Sequence, residues 1–249
     1  MRAILTYHSL DGSGSPISVA PEAFGRHVAW LVSGRVRVVD LAELQALPPE
    51  ADAVALTFDD AFQNFVAVAA PLLRAHRLPA TVYVVPGHVG GTNAWGGVSD
   101  PRVPTLPLAD WDALGRLVEA GVRLGAHTRS HPHLTRVPPA QLADELVGAQ
   151  EAIRQATGQR PDCIAYPYGD VDATVAARAA ATYRLGVTTE LRAMGAREDP
   201  LRLPRLDMYY LRDPGRLEAW GSTAFAGRLW LRAQARRLRA TLDSAGGGW

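Results

Sequence analysis

The sequence predicts an α/β fold: a parallel sheet curled into a closed or nearly closed barrel, covered by helices and followed by a basic helical tail. Three observations lead there. Short apolar runs alternate with longer stretches of helical periodicity, the pattern of successive βα units. Seven or so such units fit into 249 residues with no low-complexity linker between them, and an α/β barrel uses about 200–250 residues as a single domain. Three polar clusters each follow directly on an apolar run, where the mouth of such a barrel lies.

In chain order, residues 3–7, 53–58, 80–85, 122–126 and 163–166 read as buried strands, and 185–188 and 203–207 as weaker ones. Between them, residues 21–32, 64–76, 108–120, 139–157 and 173–182 carry helical periodicity. Residues 86–107 form a long loop rich in glycine and proline, the kind that often serves as a lid or binding loop. Residues 222–242 read as an amphipathic helix with Arg228, Arg232, Arg236, Arg237 and Arg239 among Leu229, Trp230, Leu231, Leu238 and Leu242. The barrel is assigned to residues 1–212 and the tail to 213–249, with a frayed Gly-Gly-Gly-Trp end.

Composition narrows the chemistry. Apolar residues make up 47% and charged residues 20%, ordinary globular usage that excludes a disordered or fibrous chain. A net charge of +1 gives no general field for polyanions, so no nucleic-acid partner is expected. All 26 basic residues are arginine, which excludes a Schiff-base or P-loop lysine. Cys163 is the only cysteine and reads as an inert buried residue, so a disulfide, a thiolate zinc cluster and a CxxC pair are excluded. A metal site must therefore use histidine and carboxylate.

The first cluster is Thr57-Phe58-Asp59-Asp60. The backbone turns at the end of a strand, so both carboxylates can reach one pocket, one to bind a cation and one to act as a base. The second is His127-Thr128-Arg129-Ser130-His131, whose spacing places two imidazoles on one side of a helical turn, with His133 as a turn residue nearby. The third is Tyr166-Pro167-Tyr168-Gly169, a tight turn that can aim backbone N–H groups into a pocket. Together they supply the parts for metal-assisted hydrolysis of an amide or ester.

These clusters resemble, in order and spacing, the motifs of the polysaccharide deacetylase family, also called the NodB homology domain or carbohydrate esterase family 4. The resemblance spans roughly residues 1–207, and Leu5-Thr6-Tyr7-His8, residues 79–84 and Trp111 fit a branch similar to bacterial exopolysaccharide deacetylases. It implies a distorted (β/α)7 barrel that removes acetyl groups from an N-acetylated carbohydrate. It implies that Asp60, His127 and His131 hold one divalent metal, zinc first, with cobalt, nickel or iron as alternatives. Asp59 would be the base, and the backbone N–H of Tyr168 would meet the oxyanion. Two departures stand out. The family's third motif usually begins with arginine, where this chain has Ala165, and no histidine follows His133 to serve as the usual acid. Arg205, near the end of a late strand, is expected to reach back and pair with Asp59. His8 and His88 are the candidate acids beside the substrate, with Asp59 returning its own proton as a further route. Trp95 is expected to stack on a sugar ring. A related amidase acting on a non-sugar amide, and a catalytically weak carbohydrate-binding member, are the alternative readings.

The apolar run at the N-terminus stops after Leu5, too short for a signal-peptide core, so the expected address is the cytoplasm. A lipid- or nucleotide-linked precursor at the inner membrane face would suit that address. The basic tail would then make peripheral contact with an anionic membrane surface.

Overall fold

The period-two alternation of buried strands decides which residues can meet at the barrel mouth. The computed structural model describes residues 1–97, 101–213 and 215–245, so the expected fraying of Gly246 to Trp249 lies outside the described residues. Its sheet contains β1 (Arg2–Tyr7), β2 (Arg37–Val38), β3 (Ala53–Phe58), β4 (Ala80–Val84), β5 (Arg123–Ala126), β6 (Cys163–Ala165), β7 (Leu185–Val187) and β8 (Leu206–Asp207). All pairings between them are parallel, in the order β7-β6-β5-β4-β3-β1-β8. One segment closes the ring. Its first residue, Leu203, bridges Val187 of β7, and its last two, Leu206 and Asp207, pair with Leu5 and Thr6 of β1.

Alternate residues face two separate cores. Ala3, Leu5 and Tyr7 of β1 and Val54, Leu56 and Phe58 of β3 pack outward under the helices. Ile4, Ala53, Ala55, Tyr83, Cys163, Ala165, Val187 and Leu203 fill the barrel. The outer core is anchored by an aromatic cluster, with Tyr7 stacked on Phe58 at 5.0 Å and Phe58 edge-on to Phe65 at 4.7 Å. The barrel interior is built from small residues around two large buried ones, Tyr83 and Arg205. Gly125 is part of that economy of space: a Cβ there would run into the Tyr83 ring. At the far end Arg2 donates to the carbonyls of Leu47 and Gly195, each at 2.8 Å, and seals the barrel floor.

The helices are α1 (Pro21–Leu31), α2 (Leu41–Ala46), α3 (Ala70–Ala75), α4 (Trp111–Glu119), α5 (Pro139–Ala143), α6 (Ala149–Thr157), α7 (Ala173–Ala180) and α8 (Thr223–Ala245). Asp40, Asp110 and Asp172 cap α2, α4 and α7 by accepting from a first-turn amide. Several expectations need correction. Residues 64–76 are not one α-helix: Phe65–Ala69 is π-helical, a wider turn next to Pro71, which cannot donate to the helical ladder. Residues 139–157 are likewise split by a π-helical segment, Asp144–Gly148. The strand expected over 203–207 is regular only at Leu206–Asp207, because Pro204 has no N–H for the ladder. β2 and α2 are additional elements, β2 pairing with Ala53 and Val54 below the stretch of β3 that β4 reaches.

The tail is not a free appendage. Trp220 packs on Trp30 at 5.1 Å and donates to Asp52, while Phe225 and Leu229 of α8 are buried in the outer core. Trp230 and Leu231 remain exposed. Among the described residues no helix is long and apolar enough to cross a membrane.

Two glycine substitutions separate crowding from flexibility. Gly125→Ala is expected to destabilise the protein by about 1–3 kcal/mol through overpacking against Tyr83. Gly115→Ala, in α4 with open space around its Cβ, is expected to add about 0.5–1 kcal/mol. Urea unfolding of both variants checks the pair, and equal effects would contradict the packing described.

Candidate active site

His8, Asp59, His127 and Arg205 share the inward phase of their strands, so four different segments deliver them to one mouth. The ladder runs one residue past the strand ends and fixes two of them: Asp59 donates its N–H to Tyr7 at 2.9 Å, and His127 to Val84 at 2.7 Å. Asp60 has the outward phase and is turned inward by a left-handed backbone, with φ 68°. Ala61, Thr128, His131 and Tyr168 are also left-handed. Five of the six non-glycine residues described with positive φ thus lie in the three clusters or next to them, and such strain persists only where surroundings over-determine it. Residues 127–131 are therefore not a helical turn, as the spacing suggested, but an irregular loop.

Asp59 and Asp60 are both buried, and their environments set them apart. Arg205 grips Asp59 with two parallel bonds, Nη1 to Oδ1 at 2.6 Å and Nη2 to Oδ2 at 2.7 Å. The guanidinium also donates to Thr188 O through Nε and to the hydroxyls of Thr6 and Thr57 through Nη1. Burial opposes a charge on Asp59, but Arg205, helped by His8 and His127, outweighs it and holds the carboxyl well below the usual range. Asp60 has no such cation. Burial pushes its carboxyl up against the counter-pull of His127.

Asp60 Oδ1 is buried and, among the described residues, has no hydrogen-bond partner. It lies 3.4 Å from His127 Nε2 and 3.6 Å from His131 Nε2. His127 Nδ1 is 2.8 Å from the carbonyl oxygen of Ala165, which can only accept, so Nδ1 carries a proton and Nε2 is the nitrogen turned to Asp60. His131 Nδ1 sits 3.2 Å from the Tyr168 hydroxyl, and burial together with His127 holds this imidazole neutral. Asp60 Oδ1 and the Nε2 atoms of both histidines thus converge on one point. Their ligand atoms lie within 4.8 Å of one another. Two atoms each about 2.1 Å from one tetrahedral zinc ion are about 3.4 Å apart, so the donor set fits a divalent cation.

Aromatic rings wall this point. Trp95 stacks on His131 at 4.2 Å and meets His88 edge-on at 5.0 Å. Tyr168 is edge-on to His131 and stacks on His133 at 4.1 Å. One face of the Trp95 indole is therefore turned to a histidine. His8 Nε2 stands 3.5 Å from Asp59 Oδ2, whereas His88 contacts the loop tryptophan. The turn Pro167–Gly169 spends the amides of Gly169 and Asp170 on Tyr166 and Pro167 carbonyls. Sequence reasoning missed the threonines that hold Arg205. Thr6 and Thr57 carry a readable signal, since both share the inward phase of their strands.

The sequence matches the family described as Polysaccharide deacetylase over residues 46–187, more than half of the chain. This chain belongs to the polysaccharide deacetylase family. A putative polysaccharide deacetylase, YxkH, of Bacillus subtilis strain 168 is 24% identical over 193 residues, 75% of this chain and 64% of that protein. A chitooligosaccharide deacetylase of Bradyrhizobium is 34% identical over 118 residues, 47% of this chain and 46% of that one. The chain thus spans less than two thirds of the length of these relatives. Among solved structures, the Streptococcus pyogenes deacetylase PplD is similar with a TM-score of 0.69 and 25% identity, covering 82% of this chain and 91% of that one. IcaB from Ammonifex degensii shares the fold, with a TM-score of 0.71 at 22% identity over 90% of this chain and 96% of that one. The barrel is the distorted (β/α)7 barrel of these deacetylases.

In this polysaccharide deacetylase fold, the Arg205 pair makes a pH prediction. The pairing of Asp59 contributes fully above its unfolded value of about 3.9 and is lost as the pH falls toward its lower folded value. In Arg205→Ala the buried carboxyl loses its guanidinium partner, its value rises, and protonation relieves the cost. That variant is expected to be about 3–5 kcal/mol less stable at neutral pH. The gap should narrow as the pH falls toward about 4; a gap independent of pH in urea unfolding would contradict the pairing as its source.

Proposed function

We propose that this protein is a metal-dependent hydrolase that removes N-acetyl groups from an N-acetylated sugar, with Asp60, His127 and His131 as the ligands. The observation that carries this reading is the division between two adjacent carboxylates. Asp59 is ionised and clamped by Arg205, while Asp60 faces the Nε2 atoms of two imidazoles. A divalent cation there, zinc by preference, would supply a Lewis acid that polarises the acetamide carbonyl and acidifies an attacking water.

The residues of the chain then act in turn. Asp59 takes the proton from the attacking water. Arg205 keeps its carboxylate oriented throughout, in the place where the family usually has an arginine on the third motif. The backbone N–H of Tyr168, in its left-handed turn, meets the oxyanion as it develops. His8 protonates the leaving amine: it stands over Asp59 and is more accessible than the base, with 23% of its side chain exposed against 2%. His88 and Trp95 line the loop side of the cleft, and Tyr168 and His133 the other. Acetate leaves and a free amine stays on the sugar.

A second part of the reading is peripheral contact with an anionic membrane surface, through the exposed Trp230 and Leu231 of α8, which also carries the exposed Arg228 and Arg232. Truncation before residue 223 would also remove the packing of Phe225, so Trp230→Ala combined with Leu231→Ala is the cleaner variant. It should lose binding to phosphatidylserine vesicles in sedimentation. Unchanged binding contradicts this part alone.

Acetate release from chitooligosaccharides, poly-N-acetylglucosamine fragments and nucleotide- or lipid-linked N-acetyl sugars tests the enzyme reading. Activity should vanish on chelation and return with Zn²⁺ or Co²⁺. His8→Asn should lower kcat by about 100-fold or more, the size of a general-acid contribution, and His88→Asn far less. A folded, metal-loaded protein that releases no acetate from any of them would favour an amidase or a binding protein.

A further inference from the structure

The loop that carries His131 has a strained backbone, and three consecutive amides in it have defined acceptors. The His131 N–H donates to Thr128 Oγ1 at 3.0 Å. Arg129 O accepts from the Gly87 N–H at 2.8 Å, so close that a Cβ on Gly87 would lie 2.6 Å from that oxygen. The amides of Arg129 and Ser130 both donate to Glu145 Oε2 at 2.9 Å, and Ser130 Oγ donates to Glu145 Oε1 at 2.6 Å.

Glu145 reaches the loop because the helix is wound differently there. It lies in the π-helical segment Asp144–Gly148, and such wider turns are frequent at functional sites. The adjacent Asp144 pairs with the Arg129 side chain at 2.5 Å, and Gly148 leaves room for it: a Cβ there would lie 2.5 Å from Asp144 Oδ1. One carboxylate therefore fixes two consecutive peptide planes between the two histidines.

We propose that Glu145 is a positioning residue for the metal centre, setting the separation of His127 and His131 by holding the Arg129–Ser130 backbone between Thr128 and His131, both left-handed. This rests on the reading of Asp60, His127 and His131 as metal ligands. Without the carboxylate the two amides lose their shared acceptor, and the left-handed residues relax toward ordinary φ values. The bonds, more than the charge, carry the effect.

The test uses the full chain and Co²⁺ as the probe. Its dissociation constant is measured by chelator competition, its visible absorption band is recorded, and the melting temperature of the metal-free protein is taken alongside. Glu145→Ala should weaken Co²⁺ binding by about 10-fold or more, as loss of a residue supporting a ligand does, and should change the band shape. Glu145→Gln, which keeps an acceptor oxygen for the two amides, should recover most of the affinity and keeps the test open if the alanine variant does not fold. Asp144→Asn removes a neighbouring charge without touching the loop backbone and should stay within about twofold. Co²⁺ binding within twofold of the parent in both Glu145 variants overturns the proposal, as does a loss in Asp144→Asn equal to that in Glu145→Ala. A parent protein that binds no Co²⁺ defeats the metal reading itself and is a distinct result.

Discussion

The bidentate contact between Arg205 and Asp59 is the constraint on which the site depends. It joins the segment that closes the barrel to the end of β3, on the far side of β1. An arginine and a carboxylate buried together are costly unless both are fully bonded. Here the guanidinium also has Thr6, Thr57 and the Thr188 carbonyl as partners. The pair fixes the charge of one aspartate, and by doing so it makes its neighbour different. Asp60, one residue on, is turned away from the guanidinium by a left-handed backbone and left among histidine nitrogens. Two adjacent residues of the same type thus acquire opposite tasks from their surroundings.

Strand phase explains why this needs a barrel. A parallel sheet aligns the strand ends, and alternation points every second side chain inward. Residues 8, 59, 127 and 205 are far apart in sequence and share that inward phase. The interior below them is filled by small residues and by Tyr83, whose ring lies 5.9 Å beneath the guanidinium of Arg205. The mouth therefore rests on a packed floor, which suits groups that must keep fixed distances. Ala165 fits the same logic. A small residue at the position where the family usually has arginine leaves space for a guanidinium arriving from another strand, and its carbonyl sets the tautomer of His127.

Much of this was legible in the sequence. The five strong strands are apolar runs that no other element explains, and the three clusters stand at the ends of three of them. Arg205 could be matched to Asp59 because both stand at or near strand ends. What stayed hidden follows from physical causes. β2 has two residues, too few to show a period. The π-helical segments preserve helical composition while changing the turn, so periodicity cannot reveal them. The histidine loop has the spacing of a helical turn, but its shape comes from Glu145, fifteen residues away, and from Gly87 in another loop. The stacking of one Trp95 face on His131 was also not readable, because it joins two loops far apart in sequence. The amphipathic tail read correctly as a helix, and the face it buries is set by Phe225 and Leu229.

The central claim is that Asp60 and not Asp59 holds a cation, together with His127 and His131, while Asp59 stays with Arg205. Anomalous diffraction from a crystal of the zinc-loaded protein addresses it directly. The account predicts one peak at about 2.0–2.2 Å from an Asp60 oxygen and from Nε2 of each histidine, with both Arg205 bonds to Asp59 intact. A peak ligated by Asp59, or zinc bound elsewhere with this nest of acceptors bridged by a proton, would contradict it.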